Sequence, residues 1–103
     1  MTSLEITKSD LVEGKPSKVF VGETAVCVAK VQGEIFAIAD TCSHSDASLS
    51  EGELSNHQIE CWMHGAAFDL RTGEALTPPA IDPVETFKVI DNGTTVTISK
   101  KGN

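Results

Sequence analysis

The sequence has few basic residues, no long apolar run and no signal-like start. It has 8 lysines and arginines against 15 acidic residues, a formal net charge of −7. It therefore offers no basic stripe to neutralise phosphates, and we expect no nucleic-acid partner. No apolar run approaches the roughly 18–20 residues that cross a bilayer, and the first ten residues lack the basic-then-apolar layout of a signal peptide. We therefore expect a cytoplasmic protein with no membrane partner.

Cysteines are also scarce. The three that are present, Cys27, Cys42 and Cys61, cannot all pair with one another, whereas a secreted disulfide framework has an even and denser set. Each is therefore a candidate core residue, metal ligand or catalytic group. Cys27 stands between two valines in a strand-like run, and we interpret it as a small buried hydrophobic residue.

Helical periodicity is nearly absent, because no long window carries an apolar stripe at a spacing of 3.6 residues. Residues 9–13 are the exception, and they predict one helical turn capped by Ser9 or Asp10. With 103 residues, 40% of them hydrophobic, the chain suits a single domain over residues 1–103 and is too apolar to be disordered. We predict an all-β fold of small antiparallel sheets.

Two hairpins frame the chain. The runs Thr24–Val31 and Glu34–Ala39 are separated by Gln32-Gly33, and residues 86–98 repeat the pattern around Asn92-Gly93. Glycine and asparagine tolerate the positive φ angles that tight turns need. Between the hairpins the strands are short, and Gly, Ser, His, Asp and Pro accumulate. We predict a β scaffold made from both ends of the chain, with a loop-rich insert over about residues 40–83 that carries the function.

Two short motifs stand in this insert, Cys42-Ser43-His44 and Cys61-Trp62-Met63-His64, separated by 16 residues. Each pairs a thiolate with an imidazole, and four such ligands suit zinc or an iron–sulfur centre. Common zinc modules place two cysteines in one knuckle and two histidines elsewhere. One Cys and one His in each motif instead suit a binuclear cluster, with both thiolates on one iron and both imidazoles on the other. A zinc-stabilised β interaction module remains the alternative from another class.

At these residues the sequence resembles the Rieske [2Fe–2S] family, whose pattern is C-x-H, about 15–17 residues, then C-x-x-H. The resemblance extends to Gly65, Gly73 and Pro78-Pro79, the last similar to the proline-containing loop that covers the cluster in the family. It implies a Rieske-like antiparallel β-sandwich of small sheets with an inserted cluster-binding subdomain. It also implies one [2Fe–2S] cluster, held by Cys42, His44, Cys61 and His64.

The residues around the motifs predict a low reduction potential. High-potential members of the family have an extra cysteine in each loop, and Ala47 and Met63 stand at those positions here. Those members also have serine and tyrosine hydroxyls that donate hydrogen bonds to the sulfurs, where this chain has Ala66 and Phe68. Such bonds stabilise the reduced, more negative cluster. We therefore expect the bottom of the Rieske range, about −150 mV.

This combination resembles the ferredoxin component of aromatic-ring-hydroxylating dioxygenases of the biphenyl, naphthalene and carbazole type. The resemblance implies a monomeric one-electron carrier that is not itself an enzyme. Its partners would be an NAD(P)H-dependent flavoprotein reductase and a terminal oxygenase. The Rieske-type small subunit of assimilatory nitrite reductase has similar motifs and is the alternative.

Several residues near the motifs allow two interpretations. The acidic residues of this region are either a solvated face or a surface that steers the chain towards basic partners. Trp62 and Met63 either project outward as an apolar contact patch or pack within the loop. We interpret His57 as a solvated turn residue and not as a ligand. The acidic residues in question are Asp46, Glu51, Glu53 and Glu60.

Overall fold

The computed structural model describes residues 3–41, 48–62, 66–77 and 83–100. Strands dominate these ranges, which confirms the all-β class, and no helix within them is long and apolar enough to cross a membrane. Two one-turn 3-10 helices lie at Lys8–Asp10 and Leu49–Glu51. The strands are β1 Ser3–Thr7, β2 Ser17–Val21, β3 Thr24–Val31, β4 Glu34–Ala39, β5 Glu53–Ser55, β6 Gln58–Glu60, β7 Ala67–Asp69, β8 Phe87–Asp91 and β9 Thr95–Lys100.

The described strands form three antiparallel sheets of three strands each. Sheet 1 has the order β1-β9-β8, sheet 2 the order β2-β3-β4, and sheet 3 the order β5-β6-β7. In sheet 1, Ser3 pairs with Ser99 and Thr7 with Thr95, so the first described strand lies beside the last. This pairing confirms that both ends of the chain build the scaffold. Sheet 3 falls within residues 40–83, the range predicted for the insert.

Sheet 2 lies between the other two, and its central strand β3 is buried on both faces. Along β3, Val26 and Val28 pack in a cluster with residues of sheet 1, while Cys27 and Ala29 pack in a second cluster with residues of sheet 3. Successive side chains of a strand point to opposite faces. A strand covered on both sides therefore needs apolar residues at nearly every position, which explains the unbroken run from Ala25 to Ala29.

Both predicted hairpins are present. The first has the predicted boundaries, and its turn residues Gln32 and Gly33 have φ angles of 53° and 81°. The second is shifted slightly, because β8 includes Asp91 and β9 continues to Lys100. Its turn is held by the Asn92 side chain, whose oxygen accepts hydrogen bonds from the Thr94 and Thr95 N–H groups at 2.9 and 2.7 Å.

The helical turn predicted at residues 9–13 is wrong in position and type. The chain instead forms a 3-10 turn at Lys8–Asp10 with no side-chain cap. Glu13 forms a β-bridge with Lys30, and its carboxylate accepts hydrogen bonds from the N–H groups of Gln32 and Gly33. These bonds lower the pKa of Glu13. The segment is extended because Glu13 caps the β3–β4 turn, a contact between residues about 20 positions apart.

Candidate metal centre

Of the four predicted ligands, Cys61 lies in the described part of the chain, and Cys42, His44 and His64 lie outside it. Cys61 directly follows β6 and is 0% exposed. Its N–H donates to the Ala66 carbonyl oxygen at 2.6 Å, which joins the two ends of the segment that contains His64. The local sequence favours this geometry, since the Gln58–Glu60 strand delivers the cysteine to the base of a short connection.

The ends of the segment that contains Cys42 and His44 are also joined. Thr41 and Ser48 form an antiparallel β-bridge. The Leu49 N–H donates to the Asp40 carbonyl oxygen at 2.6 Å, and the Ser50 N–H donates to the Asp40 carboxylate at 2.8 Å. Each predicted ligand motif therefore belongs to a segment whose two flanks are hydrogen-bonded to each other.

Pro78 and Pro79 also lie outside the described residues, but the residues that precede them are hydrogen-bonded to Ala67. The Ala67 N–H donates to Thr77 Oγ1 at 2.9 Å, and the Leu76 N–H donates to the Ala67 carbonyl oxygen at 2.7 Å. On the far side of the segment, the buried Val84 donates its N–H to the Gly73 carbonyl oxygen at 2.8 Å.

The flanks of all three segments meet in one place. Leu49, Cys61, Ala66 and Val84 belong to a single buried cluster between sheets 2 and 3. Gly52 makes this approach possible, because a Cβ atom built on it would overlap the Glu60 carbonyl oxygen. Because Gly52 has no side chain, the flank after the Cys42 segment can pack closely against the backbone of Glu60, which precedes Cys61.

The described residues fit the predicted iron–sulfur centre. A fully buried thiol at a strand end, with apolar side chains beneath it, provides a soft ligand in a desolvated setting. Ala66 and Phe68 are both buried beside it and carry no hydroxyl group. Around the predicted ligand Cys61, these two positions therefore lack the side-chain hydroxyl donors of high-potential members.

The surface near Cys61 is acidic and carries an exposed aromatic ring. Trp62 is 54% exposed, which favours the outward-facing interpretation. Glu53 and Glu60 are exposed and directly opposite each other in β5 and β6. They line a pocket of about 270 Å³, and no lysine or arginine in the described ranges forms an ion pair with either. Glu51 is also exposed, while Asp46 and Met63 lie outside the described residues.

The other cysteine and histidine of the described residues have structural contacts. Cys27 is buried, as predicted, and its pKa is raised by burial and then by the charge of Asp40. His57 is a turn residue, as predicted, but its side chain is only partly exposed to solvent. It lies in the turn between β5 and β6 but is half-buried. Its ring meets the Phe36 ring edge-on, with 5.4 Å between the ring centroids. The aromatic contact comes from a distant strand, so local composition gives no sign of it.

Asp40 was not among the residues predicted from the sequence. This aspartate is 1% exposed and follows β4 directly, two residues before Cys42. Its carboxylate accepts a hydrogen bond from the Ser50 N–H, on the far side of the segment that contains Cys42. A charged residue at the end of an apolar strand, two residues before a ligand motif, was the available signal.

Comparisons with known proteins identify relatives over most of the chain. The Rieske [2Fe–2S] domain family matches residues 3–88. The ferredoxin component of biphenyl 2,3-dioxygenase from Rhodococcus jostii (strain RHA1) is 41% identical over 96 residues, which cover 93% of this chain and 90% of that protein. This match favours an iron–sulfur centre over the zinc alternative.

Solved structures agree. The ferredoxin of carbazole 1,9a-dioxygenase from Nocardioides aromaticivorans IC177 has a TM-score of 0.93 and 31% identity, covering 98% of this chain and 100% of that one. A ferredoxin in complex with the oxygenase of carbazole 1,9a-dioxygenase has a TM-score of 0.90 and 35% identity, covering 98% and 97%. A putative nitrite reductase small subunit from Mycobacterium tuberculosis has a TM-score of 0.87 but 15% identity, which supports the fold alone.

Proposed function

Because the chain belongs to the Rieske [2Fe–2S] family, among the ferredoxin components of dioxygenase systems, we propose that it carries single electrons to the terminal oxygenase of an aromatic-ring-hydroxylating dioxygenase. Its electron donor would be an NAD(P)H-dependent flavoprotein reductase. The chain is an electron-transfer component with one Rieske-type cluster and is not the catalytic enzyme. The observation that carries the proposal is the fully buried Cys61 thiol, at the point where the flanks of both ligand motifs meet.

The proposed ligands are Cys42 and Cys61 on one iron and His44 and His64 on the other. When bound, the cluster takes up and releases one electron. Two ferric ions, two sulfides and two thiolates sum to zero charge, so the oxidised centre accepts an electron more readily than the dianionic centre with four thiolates. The buried Ala66 and Phe68 support a potential near the bottom of the family range, about −150 mV.

The side chains around Cys61 have two tasks in this proposal. Leu49, Ile59 and Phe68, all fully buried, pack beneath the proposed site and exclude water from that side. Trp62, with Glu53 and Glu60 nearby in sequence and in sheet 3, presents a mixed apolar and acidic surface. Such a surface suits transient docking to partners with basic patches, since complementary charge raises association rates.

The proposed organisation is one domain over residues 1–103, with residues 40–83 as the cluster-binding subdomain. Sheet 3 and the hydrogen-bonded flanks of both ligand motifs fall within that range, which supports these boundaries. We also propose a monomer in the cytoplasm.

Electron paramagnetic resonance of the reduced protein tests the ligand assignment. Wild-type protein should give the signal of a cluster with mixed nitrogen and sulfur ligands. Cys61→Ser should lose that signal or change it, whereas Cys27→Ala should keep it. The control is matched because both thiols are fully buried but only Cys61 lies in a ligand motif. Colourless protein without iron and acid-labile sulfide, or an unchanged signal in Cys61→Ser, would contradict the proposal.

Reconstitution tests the role of the chain in electron delivery. The purified ferredoxin is combined with a flavoprotein reductase and the terminal oxygenase of a biphenyl-type dioxygenase. Oxidation of NAD(P)H coupled to hydroxylation should depend on the ferredoxin and saturate with its concentration. Product formation at the same rate without the ferredoxin would refute the role.

A further inference from the structure

Asp40 is a buried acidic residue whose charge is poorly matched. Its carboxylate is 1% exposed, and Oδ1 accepts the Ser50 N–H bond at 2.8 Å. Oδ2 has no hydrogen-bond partner in the described part of the chain. The nearest ammonium, Lys18 Nζ, is 3.9 Å from Oδ2, which is beyond hydrogen-bond distance.

The same residue ties together both ends of the segment that contains Cys42 and His44. On the incoming side, its N–H donates to the Ala25 carbonyl oxygen at 3.0 Å, which fixes it to β3. On the outgoing side, its main-chain and side-chain oxygens accept the N–H groups of Leu49 and Ser50. Three hydrogen bonds on one residue therefore hold the base of this segment against the central sheet.

Solvent screens the two charges of the Lys18–Asp40 pair unequally. The Lys18 side chain is 45% exposed and its ammonium also lies 5.6 Å from the Phe20 ring, whereas Asp40 is almost fully buried. A buried charge is screened much less than an exposed one. The pair thus leaves a poorly screened negative charge at the flank of the segment that contains Cys42, and the charge of Asp40 contributes to the raised pKa of Cys27.

We propose that Asp40 is a positioning residue for the cluster. Its hydrogen bonds hold the flanks of the segment that contains Cys42 and His44, and its carboxylate charge lowers the reduction potential of the cluster. Adding an electron near a fixed negative charge is unfavourable, and a nearby positive charge opposes that effect. Asp40 and Lys18 should therefore shift the potential in opposite directions. This inference rests on the proposed ligand assignment, because it places the charge two residues from Cys42.

The charge effect is tested by measuring midpoint potentials of holoprotein variants. In Asp40→Asn the amide oxygen still accepts the Ser50 N–H, so the potential should rise with unchanged g values. In Lys18→Met the potential should fall. Each shift should exceed a twofold change in the ratio of reduced to oxidised protein, about 18 mV for one electron at 59 mV per tenfold. Lys88→Met, an exposed lysine of β8 with no ion pair among the described residues, is the matched control and should not shift.

The tie is tested by Asp40→Ala, which leaves the Ser50 N–H without its acceptor. With a chelator present, its visible absorbance should decay at least threefold faster than that of Asp40→Asn. Equal decay rates would refute the tie. Shifts of the same sign in Asp40→Asn and Lys18→Met, or none beyond that of Lys88→Met, would refute the charge effect. If Asp40→Asn retains no cluster, the comparison of the two lysine variants decides.

The two proposals fail in different ways. Wild-type protein without a Rieske signal would overturn the proposed function. A normal wild-type signal with unshifted variants would overturn only the role of Asp40.

Discussion

Neutralising Glu60 should raise the free energy of unfolding but lower the rate of electron delivery to the oxygenase. Glu53 and Glu60 are Cα partners in β5 and β6, and both are exposed. Side chains directly opposite in an antiparallel pair have Cβ atoms about 5 Å apart, and like charges there destabilise the pair by roughly 0.2–1 kcal/mol. Glu60→Gln should therefore raise the free energy of unfolding by that amount, and Glu53→Gln should do the same.

The slower electron delivery follows from a loss of electrostatic steering between the ferredoxin and the oxygenase. Charge complementarity raises association rates by roughly 10- to 1,000-fold in total. If the four acidic residues near the site, Asp46, Glu51, Glu53 and Glu60, share this factor equally, each contributes about two- to sixfold. Stopped-flow reduction of the terminal oxygenase at low salt should show a loss of this size for Glu60→Gln. The loss should vanish at high salt, where exposed charges are screened.

Glu5→Gln is the matched control, because it changes the net charge equally from the exposed face of β1 in sheet 1. The midpoint potential of each variant is measured in parallel, since Glu60 precedes Cys61 and a changed driving force would also alter the rate. If Glu60→Gln and Glu5→Gln slow the reaction equally, or the loss persists at high salt, the steering argument is wrong. If neither Glu53→Gln nor Glu60→Gln gains stability, the cross-strand repulsion argument is wrong.

Three further predictions concern the core and the scaffold. Phe68→Tyr should place a hydroxyl that donates a hydrogen bond to a cluster sulfur. Such a bond is worth about 1 kcal/mol, which corresponds to a rise of about 40 mV in the reduction potential. A loss of stability without a shift of the potential in a redox titration would argue against the bond. Gly52→Ala should destabilise the holoprotein by about 1–3 kcal/mol in urea titrations, because its Cβ meets the Glu60 carbonyl oxygen, while Ser50→Ala should change little. Glu13→Gln should lower stability at pH 7, and its difference from wild type should shrink as the pH falls through the lowered pKa of Glu13; a difference independent of pH would exclude that linkage.

The amino-acid sequence determined the features that depend on local chemistry. Gln32-Gly33 and Asn92-Gly93 favour tight turns wherever they stand, so both hairpins were predictable. The continuous apolar run along β3, with a valine on either side of Cys27, likewise predicted the burial of this cysteine. The spacing of the Cys and His motifs indicated the family and the cofactor, while the four ligands and the boundaries of the insert remain predictions.

Only the tertiary structure decided the features that depend on residues far apart in the chain. Glu13 caps a turn about 20 residues away, His57 packs against Phe36, and Gly52 lies against the backbone of Glu60. Asp40 is the clearest case, since an aspartate at a strand end is ordinarily exposed, and its burial depends on Leu49 and Ser50 folding back over it. Turn and strand preferences act between neighbouring residues, whereas burial and pairing depend on which distant segments meet when the sheets pack.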